Sequence, residues 1–238
     1  WFGSAQWAPK GEKILVLGGP STFGDIGVNV PKGTIPNEYD TQAFLFNPLT
    51  KEVDPLTKNF DPSIDQAFWT QTEDCIYFVT TDRDYRHLFK YDLNKKEFSW
   101  IDCGVETIEG IAIADKKPVA VYAGASATVP PKAFCLNMAK KESSLLHDPG
   151  KEDFEDINFG QVKRWTFKNK RGLEIEGCVY YPPDFDGSKK YPCIVYYYGG
   201  TSPVTREFAG SYPKNLYAAQ GYVVYVLQPS GATGFGQE

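Results

Sequence analysis

Alternating apolar and polar residues, broken every few positions by polar turns, fill the first 150 residues of this chain. Three segments share one pattern: Ala43-Phe44-Leu45-Phe46-Asn47, Leu88-Phe89-Lys90-Tyr91-Asp92 and Ala133-Phe134-Cys135-Leu136-Asn137. A period of two is the signature of a half-buried strand, and the closing Asn or Asp favours a turn. The central phenylalanines Phe44, Phe89 and Phe134 stand 45 residues apart. After each turn come Lys and Glu: Lys51-Glu52, Lys96-Glu97 and Lys141-Glu142. A second register agrees with the first. Trp7–Leu17 overlays Trp69–Val79 without a gap, and Ala112–Tyr122 is a weaker third copy.

Each unit therefore reads as strand, turn, strand, loop, strand, turn, strand. A period of 40 to 45 residues with four short strands is the mark of β-propeller blades. A single blade cannot bury both faces of its sheet, so neighbours must stack. Known rings hold about four to eight blades, so three imply an incomplete propeller, with further blades expected upstream. The first unit carries extra residues between Gly19 and Asp40, rich in Gly, Pro and Asn. Two readings stay open for them: a long excursion between strands, or a loop that reaches a neighbouring domain or the substrate entrance.

The polar run Asp148-Pro149-Gly150-Lys151-Glu152-Asp153 breaks this pattern, which sets a boundary between residues 1–153 and 154–238. Beyond it, Val162–Lys168 and Leu173–Tyr181 alternate around an Asn-Lys-Arg-Gly turn, which predicts a hairpin. The continuous apolar run Cys193–Tyr198 suits a strand covered on both faces. Tyr212–Gln220, with Pro213 near its start and Gly221 after it, reads as a short helix. Tyr222–Leu227 is a further buried strand, and a strand–helix–strand crossover makes a parallel pair.

These residues carry a resemblance. Tyr180-Tyr181-Pro182-Pro183-Asp184-Phe185-Asp186, Ser188-Lys189-Lys190-Tyr191-Pro192-Cys193-Ile194-Val195 and Tyr198-Gly199-Gly200 resemble the start of the catalytic domain of the prolyl oligopeptidase family of serine peptidases, in its dipeptidyl-peptidase and acylaminoacyl-peptidase branch. Gln228–Gln237 resembles the segment after that family's next strand. The resemblance covers nearly the whole chain. It implies a mixed fold: three blades of an incomplete β-propeller, then the N-terminal part of an α/β-hydrolase.

The implied activity is hydrolysis of short peptides by a Ser-Asp-His triad lying wholly beyond Glu238. No Gly-x-Ser-x-Gly, the nucleophile elbow of such folds, occurs in the chain. The isolated chain is thus expected to be inactive. Within it, the resemblance assigns one catalytic group, Tyr198, whose hydroxyl would donate to the oxyanion. Gly199 and Gly200 would let the backbone turn beside the reacting carbonyl. The alternative is that Tyr198 is the last of three strand tyrosines packed under the sheet. Thr201 stands where the family has proline, and Ser230 where it has arginine. A non-catalytic propeller binding module and an esterase of the same hydrolase fold are the competing functions.

Composition narrows the rest. A net charge of −5 with no long basic stripe argues against nucleic acid as a partner. No apolar run approaches the roughly 20 residues of a membrane span. The expected partners are a peptide substrate and the remainder of the same polypeptide; homo-oligomer formation and compartment stay open. Cys75, Cys103, Cys135, Cys178 and Cys193 lack CxxC spacing, so no metal site and no cofactor are expected. Cys75, Cys135, Cys178 and Cys193 fall inside apolar strand runs, which predicts small buried thiols. The two histidines are read as surface groups, His87 in a turn of the middle unit and His147 in the linker. The Lys168, Lys170 and Arg171 cluster is read as a solvated turn.

Overall fold

The computed structural model describes residues 2–72 and 74–237. Strands β1 (Phe2–Trp7), β2 (Ile14–Gly18), β3 (Gln42–Phe46) and β4 (Val53–Pro55) form an antiparallel meander. A second meander follows from β5 (Ser63–Trp69), β6 (Cys75–Asp82), β7 (Tyr85–Asp92) and β8 (Glu97–Ile101). A third comprises β9 (Thr107–Ile113), β10 (Val119–Ser126), β11 (Val129–Asn137) and β12 (Glu142–His147). The second and third share one parallel contact, Arg86 opposite Thr107. The architecture of these strands is propeller-like, and each predicted repeat falls on the third strand of its meander.

The repeat has a local cause. In each meander, the side-chain oxygen of Asn47, Asp92 or Asn137 accepts N–H bonds from the residues two and three positions on. The turn then closes on a lysine with left-handed backbone: Lys51 (φ 66°), Lys96 (φ 57°) and Lys141 (φ 58°). A type I turn followed by one left-handed residue is a standard way to join two twisted strands. The Asx side chain and the lysine are thus two halves of one device.

Stacking follows from the period of two. On β6, Cys75, Tyr77 and Val79 face Ile108, Ala120, Tyr122 and Leu136 of the third meander. The alternate residues Ile76 and Phe78 face Leu15, Leu17, Ala43 and Leu45 of the first. β6 is buried on both faces because a meander lies against each. Segment 19–40 covers the first meander's other side, where Phe23 packs edge-on to Phe44 and stacks on Phe46.

After the short helix α1 (Lys151–Phe154) comes a fourth sheet of β13 (Val162–Lys168), β14 (Glu174–Tyr180), β15 (Cys193–Tyr196) and β16 (Val223–Leu227). Its order is β13-β14-β16-β15. Gly172 closes the predicted hairpin at φ 81°, and β15 and β16 run parallel as expected. The crossover helix α2 is Lys214–Ala219, shorter than predicted, with Pro213 in the capping position before it. Tyr180, Val224, Val226 and Ala218 form the core between sheet and helix.

Several expectations need correction. β15 ends at Tyr196 rather than Tyr198, and it is not covered on both faces: Val195 is 53% exposed. The strand lies at the sheet's edge, so only the face turned to α2 is packed. Cys193 is accordingly exposed and Cys135 half-buried, whereas Cys75, Cys103 and Cys178 are buried. His87 is not in a turn but in β7, opposite Thr80, because the hairpin closes as early as Arg83-Asp84. His147 belongs to β12, opposite Ala133, rather than to a linker.

Candidate functional site

In sheets of this kind, ligands collect at the carboxyl ends of parallel strands. Two segments leave those ends here, residues 197–213 after β15 and 228–237 after β16. Both meet the hairpin ends of the meanders. Between them lies a cleft of about 510 Å³, whose walls include Tyr39, Asp65, Arg86, Glu109, Ser202 and Glu207. Thr41, Ser63, Thr81, Thr107 and Thr205 also line it.

Tyr198 stands at the start of the first segment and is 53% exposed, so it is not packed under the sheet. Its ring folds back over Gly200. A Cβ at Gly200 would sit 2.5 Å from Tyr198 Cε1 and 3.0 Å from the hydroxyl oxygen. Glycine at 200 lets the tyrosine ring lie against the backbone, and neither Gly199 nor Gly200 has left-handed backbone. Nothing within 4 Å would oppose a side chain at Gly199.

The two segments are sewn together. Gln228, fully buried, accepts the Val204 N–H at 3.0 Å and donates to the Val204 carbonyl at 2.7 Å. A side-chain amide thus takes the place of a neighbouring strand. The Thr233 N–H donates to the Thr201 carbonyl at 2.7 Å. Ser230, at the position where an arginine was expected, faces Arg171 Nη2 at 3.5 Å.

Both segments are also tied to the meanders. Arg206 is buried, yet its Nε donates to Asp84 Oδ2 at 2.9 Å and its Nη1 to Glu106 Oε1 at 3.0 Å. Its N–H donates to the Asp84 carbonyl at 3.0 Å, and the guanidinium lies 4.5 Å from the Tyr85 ring centre. Burial alone would pull its pKa down; Asp84 first, then Cys178, Tyr85 and Glu106, together outweigh that and hold the charge. Arg83 pairs with Glu176 of β14, which also holds Arg164 at 2.5 Å. Asn215 of α2 donates to the Ala127 carbonyl at 2.7 Å.

The long segment of the first meander reaches this region as well. Gln237 accepts the Asn37 N–H at 2.7 Å and donates to Asp40 Oδ2 at 2.7 Å. Of the two readings of segment 19–40, the one that brings it to a neighbouring unit is the one observed, and Tyr39 and Thr41 line the cleft. Burial raises the Asp40 pKa, against hydrogen bonds from Gln237 and Gly234.

Lys214 of α2 is the other deeply buried cation among the described residues. Its Nζ donates to the Thr205 carbonyl at 3.4 Å, and burial lowers its pKa. No group of three or more His, Cys, Asp or Glu side chains able to hold a metal occurs among the described residues. No helix among them is long and apolar enough to cross a membrane.

The site residues foreseen from sequence, Tyr198, Gly199 and Gly200, are contiguous and border the cleft segment. Arg206, Asp84, Glu106 and Gln228 were missed. Nothing in a local window distinguishes them from ordinary surface polar residues.

No family model matches the chain. It is 26% identical over 199 residues to dipeptidyl-peptidase 5 of Porphyromonas gingivalis, which covers 83% of this chain and 29% of that protein. It is 42% identical over 65 residues to dipeptidyl-peptidase 5 of Aspergillus fumigatus, covering 27% of this chain and 9% of that protein. The fold is similar to that of the acylaminoacyl peptidase of Pyrococcus horikoshii. There the TM-score is 0.73 at 22% identity, over 99% of this chain and 33% of that one. The chain thus matches less than a third of the length of these curated relatives.

Proposed function

We propose, from the premise that this chain belongs to the prolyl oligopeptidase family of serine peptidases, that it forms one wall and the oxyanion-binding turn of a peptidase acting on short peptides. Residues 1–153 are read as propeller blades and residues 154–238 as the first part of an α/β-hydrolase body. The Ser-Asp-His triad would be supplied by polypeptide beyond Glu238, and the 238-residue chain alone would not hydrolyse peptides.

The observation that carries the reading is the placement of Tyr198. It leaves the carboxyl end of a parallel strand, exposed, on a segment fastened to the carboxyl-end segment of the adjacent strand. A phenol there can donate to an oxygen that becomes negative during acyl transfer. Such a donor lowers the barrier because it meets more charge in the transition state than in the ground state. Thr201 and Ser202 of the same segment line a cleft that also holds Asp65, Arg86, Glu109 and Glu207, side chains that suit the donors and acceptors of a peptide backbone better than an apolar acyl ester.

Tyr198→Phe in the full-length polypeptide tests this. Loss of one oxyanion donor costs about 10²- to 10³-fold in kcat, with the thermal transition unchanged. A kcat equal to the parent's would remove Tyr198 from the mechanism.

A further inference from the structure

Tyr198 itself has little to hold it. The strand before it has ended, a Cβ at Gly199 would meet nothing within 4 Å, and the tyrosine is half-exposed. The segment is nonetheless fastened further on at three places: Thr201 to Thr233, Val204 to Gln228, and Arg206 to Asp84 and Glu106. The first two lie within the unit that carries Tyr198. The third reaches the second meander's β6–β7 turn and the loop between β8 and β9.

We propose that Arg206 is a positioning residue: it locks the Tyr198 turn to the meanders, so that the oxyanion donor is placed only when the two units are docked. This rests on the reading of Tyr198 given above. Three features make Arg206 more than a general interface contact. It engages two carboxylates on different loops with two different nitrogens, and its own N–H binds the carbonyl of one of the same residues, Asp84. Its face is covered by Tyr85, which shields the pair from water. Glu106 is itself fixed, because its second oxygen accepts the Ala127 N–H at 2.7 Å. A lysine could not span both carboxylates, since it lacks the planar fork. The anchor therefore specifies a direction as well as a charge.

The test is a double-mutant cycle in the full-length polypeptide, with kcat and KM on a peptide p-nitroanilide and Ki for a peptide boronate, which mimics the tetrahedral state. Arg206→Gln should lower kcat by up to about 100-fold, the cost of a small misplacement near the reacting atoms. KM should hold, and the boronate Ki should rise in step. Arg206→Lys should not restore kcat. In a Tyr198→Phe background, Arg206→Gln should change kcat by no more than about 2-fold, because the group it places is gone.

If the two losses instead multiply, Arg206 acts elsewhere and the proposal falls. If Tyr198→Phe alone leaves kcat unchanged, the oxyanion reading fails, and this proposal loses its basis with it. Should Arg206→Gln not fold, Glu106→Gln decides by the same cycle. It removes one anchor and keeps Asp84, so a smaller loss that vanishes in the Tyr198→Phe background supports the proposal, and a multiplicative one overturns it.

Discussion

Replacing Gly234 by alanine should loosen the junction between the carboxyl-end segment and the second meander far more than the same change at Gly236. Both glycines have left-handed backbone, at φ 80° and 83°. An L-residue there costs about 1–2 kcal/mol in either case. The surroundings differ. A Cβ at Gly236 meets nothing within 4 Å, whereas at Gly234 it would lie 2.7 Å from the Thr81 carbonyl oxygen and 3.0 Å from the Arg83 nitrogen. Backbone on a paired strand cannot yield cheaply, so forced repacking adds about 1–3 kcal/mol. The entropy that alanine removes from the unfolded chain is alike at both sites and cancels.

The Arg83 amide donates to the Gly234 carbonyl at 3.0 Å, so its hydrogen exchange reports the junction directly. In the full-length polypeptide, Gly234→Ala should speed that exchange about 5- to 150-fold more than Gly236→Ala does. Equal acceleration by the two variants would refute the close approach as the reason for glycine at this position.

Two further outcomes follow from the packing. Phe78→Ala empties a fully buried site between the first and second meanders and should cost about 3–5 kcal/mol, read as a lowered denaturation midpoint; a loss under about 1 kcal/mol would contradict the stacking. Lys214→Met should stabilise the protein, with a pH dependence of fixed sign. Burial lowers the folded pKa of Lys214 below its ordinary 10.5, so in that window the unfolded chain binds more protons and stability rises with pH. The advantage of methionine should therefore shrink as pH climbs toward 10.5, and a constant advantage would show that the ammonium is not the cause.

Much of the fold could be read from sequence because its causes are local. The Asn47, Asp92 and Asn137 turns repeat since each Asx oxygen needs only the two N–H groups just ahead of it. The burial of β6 on both faces was implied by the repeat, since consecutive blades must stack. What could not be read depends on partners far along the chain. Arg206 and Asp84 are 122 positions apart, and Asn37 and Gln237 are 200 apart. The bare face of β15 depends on its place at the edge of a sheet whose order no single run of residues encodes. Tyr198 became a candidate only through resemblance, because periodicity alone would leave it as a third strand tyrosine.

The most direct test of the central claim is to treat the full-length polypeptide with a fluorophosphonate and map the modified peptide by mass spectrometry. The account predicts a single labelled serine on the carboxyl side of Glu238, with labelling slowed by Tyr198→Phe. A label on any serine within residues 1–238, or an active hydrolase that takes no label, would contradict it.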